Sequence, residues 1–198
     1  MTEPMRRVEL EARVMRPWRE RRFHEFGEGS ILHRPLWIAG PHQIAVGRNA
    51  LILHGCWISV ETPAWGQPAP TLRIGDRVGI RPYCSISAAV GIELEDDVVL
   101  SAYSTVIDSD HTFRQGNPNV MHNSLDTAPV RIGRGTWVAE RVSVLKGARI
   151  GECCIIGANS VVRGEIPPYS IAVGAPARVV GEVTGVDAAA PAYAERIY

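Results

Sequence analysis

Isoleucine or valine occupies every sixth position from Ile132 to Val162: Ile132, Val138, Val144, Ile150, Ile156 and Val162. An earlier run keeps the interval through Ile74, Ile80, Ile86, Ile92 and Val98, and Val46, Ile52 and Ile58 carry it toward the N-terminus. A period of six is neither the 3.6 of a helix nor the 2 of an ordinary strand. It fits a β-solenoid whose coils are three-sided prisms, with one hexapeptide supplying each side. The branched side chain then points inward, where it suits a short flat strand. Stacking coil on coil buries a continuous aliphatic column.

Four residues after each aliphatic position stands a small or compact one. These are Thr136, Val142, Ala148, Cys154, Ser160 and Ile166 in the later run, and Val78, Cys84, Val90 and Ala102 in the earlier. They are expected to turn the corners, where room is limited. Glycine follows the aliphatic residue in Ile74-Gly75, Ile132-Gly133, Ile150-Gly151 and Ile156-Gly157. It is expected there because it accepts backbone angles that a side chain makes costly. The period does not report the hand of the solenoid.

The 198 residues suffice for one ordinary domain. Lys plus Arg and Asp plus Glu number 21 each, so no global charge favours nucleic acid or an anionic membrane. No apolar run approaches a membrane span, and the basic N-terminus is not followed by the apolar core of a secretory signal. Cys56, Cys84, Cys153 and Cys154 lack metal-ligand spacing; three sit at inward small positions, while Cys153 should face away from its neighbour. A reducing cytoplasm is the simplest compartment for them.

Along the chain, residues 1–30 read as an N-terminal arm, in part a short amphipathic helix. Residues 31–181 read as the solenoid, and 182–198 as an Ala-rich tail. Two excursions interrupt the prism. The first, over about 61–72, is marked by the turn formers Thr62-Pro63-Ala64-Trp65-Gly66-Gln67-Pro68-Ala69-Pro70. The second, over about 107–129, is marked by the 34 positions between Val98 and Ile132, which is not a multiple of six. Pro167-Pro168 is expected to stop strand pairing. Regular coils hold still, so specificity belongs on the excursions.

The long excursion opens with Asp108-Ser109-Asp110-His111-Thr112-Phe113. A histidine between carboxylates, where coils give way to a loop, suits a general base. A neutral imidazole takes a proton from a hydroxyl, and an acceptor on its other nitrogen fixes the tautomer. Asp108 and Asp110 are both candidates to orient His111. A zinc site would need three histidines, and beyond His111 and His122 in this excursion only His54 offers a third; no metal is expected.

The segment Pro129-Val130-Arg131-Ile132-Gly133-Arg134-Gly135-Thr136-Trp137-Val138, with Gly157-Ala158-Asn159-Ser160-Val161-Val162 and the closing Ile166-Pro167-Pro168-Tyr169-Ser170-Ile171-Ala172-Val173-Gly174-Ala175-Pro176-Ala177-Arg178, resembles the hexapeptide acyltransferases. The likeness is to the sugar O-acetyltransferase group, which includes galactoside, maltose and polysaccharide-modifying enzymes, and it covers roughly residues 28–181. The resemblance implies an all-β, left-handed parallel β-helix that assembles as a homotrimer, with active sites between adjacent subunits. It implies acetyl-CoA as donor, a sugar or glycan hydroxyl as acceptor and His111 as general base. It places Trp137 beside the thioester, Glu140 and Ala158 along the pantetheine arm, and Arg163 and Arg178 at the CoA phosphates. Tyr83 stands where galactoside-type enzymes carry an acceptor-binding Asn, Gly181 replaces a common basic residue, and the maltose-type N-terminal cap is not evident; the acceptor therefore stays open. Competing readings are an N-acetyltransferase on an amino- or nucleotide-sugar, a γ-carbonic-anhydrase-like zinc protein, and a non-catalytic solenoid serving assembly.

Overall fold

The computed structural model describes residues 18, 21–61, 68, 70–113 and 116–185. Most of the expected N-terminal arm and the tail after residue 185 lie outside them. Three parallel sheets form the faces of a prism. Face A runs through Glu25–Phe26, Ile44–Val46, Leu72–Ile74, Ile92–Leu94, Val130–Ile132, Arg149–Ile150 and Glu165–Ile166. Face B runs through Ile31–Leu32, Leu51–Ile52, Gly79–Ile80, Val99–Leu100, Trp137–Val138, Ile155–Ile156 and Ser170–Gly174, and ends on the antiparallel strand Ala177–Glu182. Face C holds Trp37–Ala39, Trp57–Val60, Ser85–Ala88, Thr105–Ile107, Ser143–Val144 and Val161–Val162. The first coil thus begins at Glu25, before the expected start at 31, because Phe26 fills the inward slot against Val46.

Inward residues stack in register. On face B the column is Leu32, Ile52, Ile80, Leu100, Val138, Ile156 and Ala172, all buried. Each fully buried Ile or Leu contributes about 1.5–3 kcal/mol by leaving water. Truncating Ile80 to Ala would cost about 2–5 kcal/mol, because rigid coils above and below cannot collapse into the gap.

The period slips once in the earlier run. After Ile86 the corner Ala89-Val90-Gly91 is two residues longer, so the lead inward positions become Leu94, Leu100 and Val106. Val98 then takes the fifth position and Val90 is exposed at 47%. Ile166 is likewise a lead residue of face A rather than a corner residue, since it pairs with Ile150. Nor do the prolines end the ladder: Pro167 and Pro168 lie in a corner, and Ser170–Gly174 still pairs with Ile155–Ile156.

Corners have their own chemistry. All ten non-glycine residues with positive φ among the described residues sit at two of the three corners. Asn49, Arg77, Asp97, Cys153 and Tyr169 lie between faces A and B; Arg34, Tyr83, Tyr103, Arg141 and Asn159 lie between B and C. The left-handed turn aims the backbone N–H at the corner of the preceding coil, as in Arg77 N to Arg48 O at 2.8 Å and Asn159 N to Glu140 O at 3.0 Å. That bond offsets part of the strain, which is about 1–2 kcal/mol per residue. The repeat glycines serve a different need from the one expected. A Cβ on Gly75 would stand 2.7 Å from Asp96 N, and one on Gly133 2.5 Å from the Gly151 carbonyl carbon, so closeness of the next coil excludes any side chain. Buried hydroxyls at fifth positions complete the corners: Ser104 Oγ donates to Ala139 O at 2.9 Å, and Thr136 Oγ1 to Gly151 O at 2.9 Å.

The third corner, between C and A, carries both excursions. The first spans from Glu61 to Thr71, with most of it outside the described residues. No helix among the described residues is long and apolar enough to cross a membrane.

Candidate active site

The long excursion leaves face C at Ile107 and rejoins face A at Val130. Its root is Asp108, fully buried, whose carboxylate accepts the backbone N–H groups of Ala89, Val90 and Gly91 at 2.7, 2.9 and 2.7 Å. Those three donors belong to the corner lengthened by two residues, so the carboxylate satisfies groups that a regular corner would not leave open. Asp108 O also accepts Ala128 N at 2.9 Å, closing the neck of the loop. This residue therefore anchors the excursion to the coil before it; its carboxylate is not turned to His111.

Beyond the neck, Ser109–His111 pairs antiparallel with Leu125–Thr127, placing His111 opposite Leu125 and Asp110 opposite Asp126. Facing carboxylates repel, and Lys146 resolves the conflict. It stands at the C–A corner of the next coil, with Nζ 3.4 Å from Asp110 Oδ2 and bonded to Asp126 Oδ2. The Asp126 carboxylate holds the ammonium above its ordinary pKa. Asp110 is thus committed to Lys146 rather than to the imidazole. Farther out, Asn123 Nδ2 donates to Thr112 O and Asn117 O at 2.8 and 2.9 Å, tying the loop across its width.

Between hairpin and coil lies a cleft of about 370 Å³, lined by His111, Phe113, Asp110, Asp126, Lys146 and Arg163, with Thr112. His111 Nδ1 is shut from solvent and bonds to nothing among the described residues. A buried, unpartnered ring nitrogen is costly unless a ligand or a neighbouring chain completes it. Phe113 gives the mouth an apolar lip, 71% exposed. Arg163 makes no ion pair among the described residues, so its guanidinium donors are open to a ligand in the cleft.

The other anticipated residues lie elsewhere on the prism. Tyr83 occupies the B–C corner with φ 62°, stacked on Tyr103 at 5.2 Å, with the His54 ring edge-on at 5.4 Å. Its ring lies over Gly55, where a Cβ would come within 2.4 Å of it. Arg141 covers Tyr103 from the far side at 5.8 Å. Glu140 and Ala158 are exposed at the same edge on successive coils. Trp137 is half-exposed on face B and donates from Nε1 to Ser101 Oγ at 2.9 Å. Arg178 is exposed on the terminal hairpin. One subunit therefore gathers His111, Asp110 and Arg163 on the C–A edge, and Tyr83, Glu140 and Ala158 on the B–C edge. Lys146 and Asp126 were not anticipated; the only trace of Lys146 is a lysine beside the corner glycine Gly147 in the coil after the excursion.

Two further features bear on the alternatives. Among the described residues no group of three or more His, Cys, Asp and Glu converges as a metal requires, and His54 lies against Tyr83, not beside the His111 hairpin. A wider groove of about 920 Å³ crosses face A along Arg73, Glu93, Arg131 and Arg149, but none of the anticipated site residues lines it.

Residues 129–164 match the bacterial transferase hexapeptide family, a profile of six repeats. A relative in Mycobacterium tuberculosis, named as a probable acetyltransferase, is 42% identical over 110 residues, which is 56% of this chain and 37% of that protein. The match thus spans little more than a third of that relative's length. A protein of Escherichia coli, named as an O-acetyl transferase of lipopolysaccharide biosynthesis, is 27% identical over 76% of this chain and 77% of its own. Among solved structures, an N-acyltransferase of Bacillus cereus in complex with dTDP and 3-hydroxybutyryl-CoA aligns with a TM-score of 0.65 at 21% identity, covering 85% of this chain and 87% of its own. A maltose O-acetyltransferase of Clostridium difficile aligns at 0.57 and 22% identity, covering 86% and 75%. The fold is the left-handed parallel β-helix of hexapeptide acyltransferases. Residues 129–164 thus carry the hexapeptide repeat of that family, and the chain is similar to proteins named as acetyltransferases.

Proposed function

We propose that the protein moves an acetyl group from acetyl-CoA to a hydroxyl of a sugar or glycan, with His111 as general base in a homotrimer. The observation that carries this reading is His111 itself. It is presented on a hairpin anchored at both ends, with a buried, unpartnered nitrogen beside an open cleft that also holds Arg163. His111 takes the proton as the acceptor oxygen attacks the thioester carbonyl, and the imidazolium returns it to the leaving thiolate. Lys146 and Asp126 hold the hairpin to the coil. Arg163 suits a CoA phosphate, since guanidinium pairs its donors with phosphate oxygens. Arg178 is assigned the same partner by the resemblance alone.

Tyr83, Glu140 and Ala158 cannot reach the His111 cleft of their own prism, since they lie on a different edge. A neighbouring copy would bring its B–C edge to that cleft and complete the site, with Trp137 near the thioester and Tyr83 on the acceptor side. Donor chemistry is supported by relatives named as acetyltransferases and by neighbours crystallised with CoA derivatives. An amine acceptor is the second reading, favoured by the Bacillus cereus neighbour, an N-acyltransferase.

The test is CoA release from acetyl-CoA, followed with a thiol-trapping reagent across sugars, nucleotide-sugars and amines. Release is expected to require a hydroxyl acceptor and to fall by about 10²–10⁴-fold in His111→Ala. An amine-only acceptor range would replace the hydroxyl reading, and undiminished turnover in His111→Ala would remove the base assignment.

A further inference from the structure

The groove of about 920 Å³ on face A is unused by the site described above. Its floor is the outward row of that face, Arg73, Glu93, Arg131, Arg149 and Glu165, held in register from coil to coil. Its wall toward the C–A edge is apolar, built by Pro70, Val90 and Pro129. In the proposed homotrimer, neighbouring copies meet at the two edges that bound face C. Face A is then turned outward, away from the three-fold axis, and its groove stays open.

Charge along the floor is unevenly matched. Arg131 is committed: its Nε donates to Glu95 Oε1 at 2.8 Å and lies 3.5 Å from Glu93 Oε2. Arg73 stands opposite Glu93, and Arg149 opposite Glu165, yet neither arginine makes an ion pair among the described residues. Arg149 also stands directly opposite Arg131. Like charges in register repel. An anion seated between these two guanidiniums removes the repulsion and takes paired donors from them. Arg73 and Arg149 are three strand spacings apart, roughly 14 Å, which suits an extended ligand with more than one anionic group. Glu165 adds an acceptor for hydroxyl donors. A peptide has no ladder to join here, because Leu72–Ile74, Ile92–Leu94, Val130–Ile132 and Arg149–Ile150 each pair on both sides.

The groove ends beside the His111 cleft. Lys146-Gly147-Ala148-Arg149 turns the C–A corner from cleft to groove, and Arg163-Gly164-Glu165 does so one coil later. At Gly164 the second turn carries no side chain, and a Cβ there would meet nothing within 4 Å. The corner is a bare saddle between the two.

We propose that the face A groove holds the acceptor as an anionic glycan, with acidic groups on Arg73 and on the Arg131–Arg149 pair. The unit to be acetylated is led across Gly164 to His111. This rests on the transferase reading and adds to it the charge of the acceptor.

The full-length protein would be titrated calorimetrically, without acetyl-CoA, with oligosaccharides of increasing length in three sets: neutral, carboxylated (oligogalacturonates) and phosphorylated. Acetyl transfer would be measured across the same sets. An anionic set is expected to bind and the neutral set not, and the set that binds tells carboxylate from phosphate as the group recognised. Arg73→Gln combined with Arg149→Gln should weaken that binding about tenfold, and Arg73→Lys with Arg149→Lys should weaken it less. Added salt should weaken binding by the wild type more than by the Gln variant. In transfer, the Gln variant should raise KM for the anionic acceptor by a like factor with kcat little changed. Binding of neither anionic set, equal binding of the neutral set, or equal binding by wild type and the Gln variant would each overturn the assignment. So would a second copy seated on face A, seen in sedimentation as growth beyond a trimer that the Gln variant abolishes. Transfer to small neutral sugars would survive those results. Groove binding without CoA release from any acceptor would instead strike the transferase reading.

Discussion

Two edges of the same prism differ in what the chain does with its corners. At the B–C edge every coil turns alike, through Arg34, Gly55, Tyr83, Tyr103, Arg141 and Asn159, all with positive φ. The side chains there form a rail of stacked rings and guanidinium. At the C–A edge the turns are filled by glycines such as Gly147 and Gly164, or the chain departs altogether. There a buried carboxylate, a lysine between two aspartates and an imidazole whose buried Nδ1 has no partner among the described residues replace the rail. The regular edge follows from the repeat; the irregular edge had to be stabilised residue by residue, and it is where we place the proposed base.

The largest effect that would break this contrast is expected from Asp108→Ala. It leaves three backbone N–H groups without their acceptor, that of Ala89 in the interior and those of Val90 and Gly91 at its edge, so a loss of about 3–5 kcal/mol in urea unfolding is predicted, together with loss of turnover. A loss under 1 kcal/mol would show that the excursion is not anchored there.

Lys146→Met comes next. It frees Asp110 and Asp126 to repel and lets the hairpin drift, which should lower kcat by about ten- to a hundredfold with KM for acetyl-CoA little changed. Lys146→Arg should recover part of it. A change confined to KM would assign Lys146 to binding instead.

On the regular edge, Gly55→Ala must fit a methyl group where the Tyr83 ring now lies, at a φ of 74°. The ring can swing away, so about 1–2 kcal/mol is expected from the strained backbone, read as a lower midpoint of thermal unfolding. An unshifted midpoint would mean that the rail is not set by Gly55.

The smallest effect concerns the A–B edge. The Arg48 backbone N–H and guanidinium beside Asp76 hold its carboxyl below the ordinary 3.8, and Arg134 with Tyr169 holds Glu152 below 4.5. A depressed folded pKa contributes stability above the unfolded value and loses it as pH falls through the folded one. Unfolding should therefore become easier below about pH 4. Asp76→Asn should flatten that slope slightly, since such exposed pairs are worth little. A steeper slope in the variant would contradict the sign.

Much of the fold was legible in the sequence because an inward slot accepts few residue types. The six-residue phase located the coils and both excursions. It missed the slip after Ile86, because Ile92 and Val98 are also buried and keep the appearance of the period. The glycines after Ile74 and Ile132 were read as conformational, but spacing between coils is invisible in one repeat and appears only when two are stacked. Of the site, His111 could be read from its neighbours and the resemblance. The partners of Asp108 and Asp110 could not, because the N–H groups of residues 89–91 and the Lys146 ammonium are brought to them by stacking, not by sequence proximity.

The claim that the two edges are halves of one site belonging to different copies has a direct test. His111→Ala and Ala158→Trp, each made inactive by damage to one edge, would be co-expressed and their joint turnover of acetyl-CoA measured. Sites formed between copies predict restored activity, about a quarter of the wild-type rate if the chains assort at random. No recovery from mixed assemblies would place both edges' functions within one chain and contradict the account.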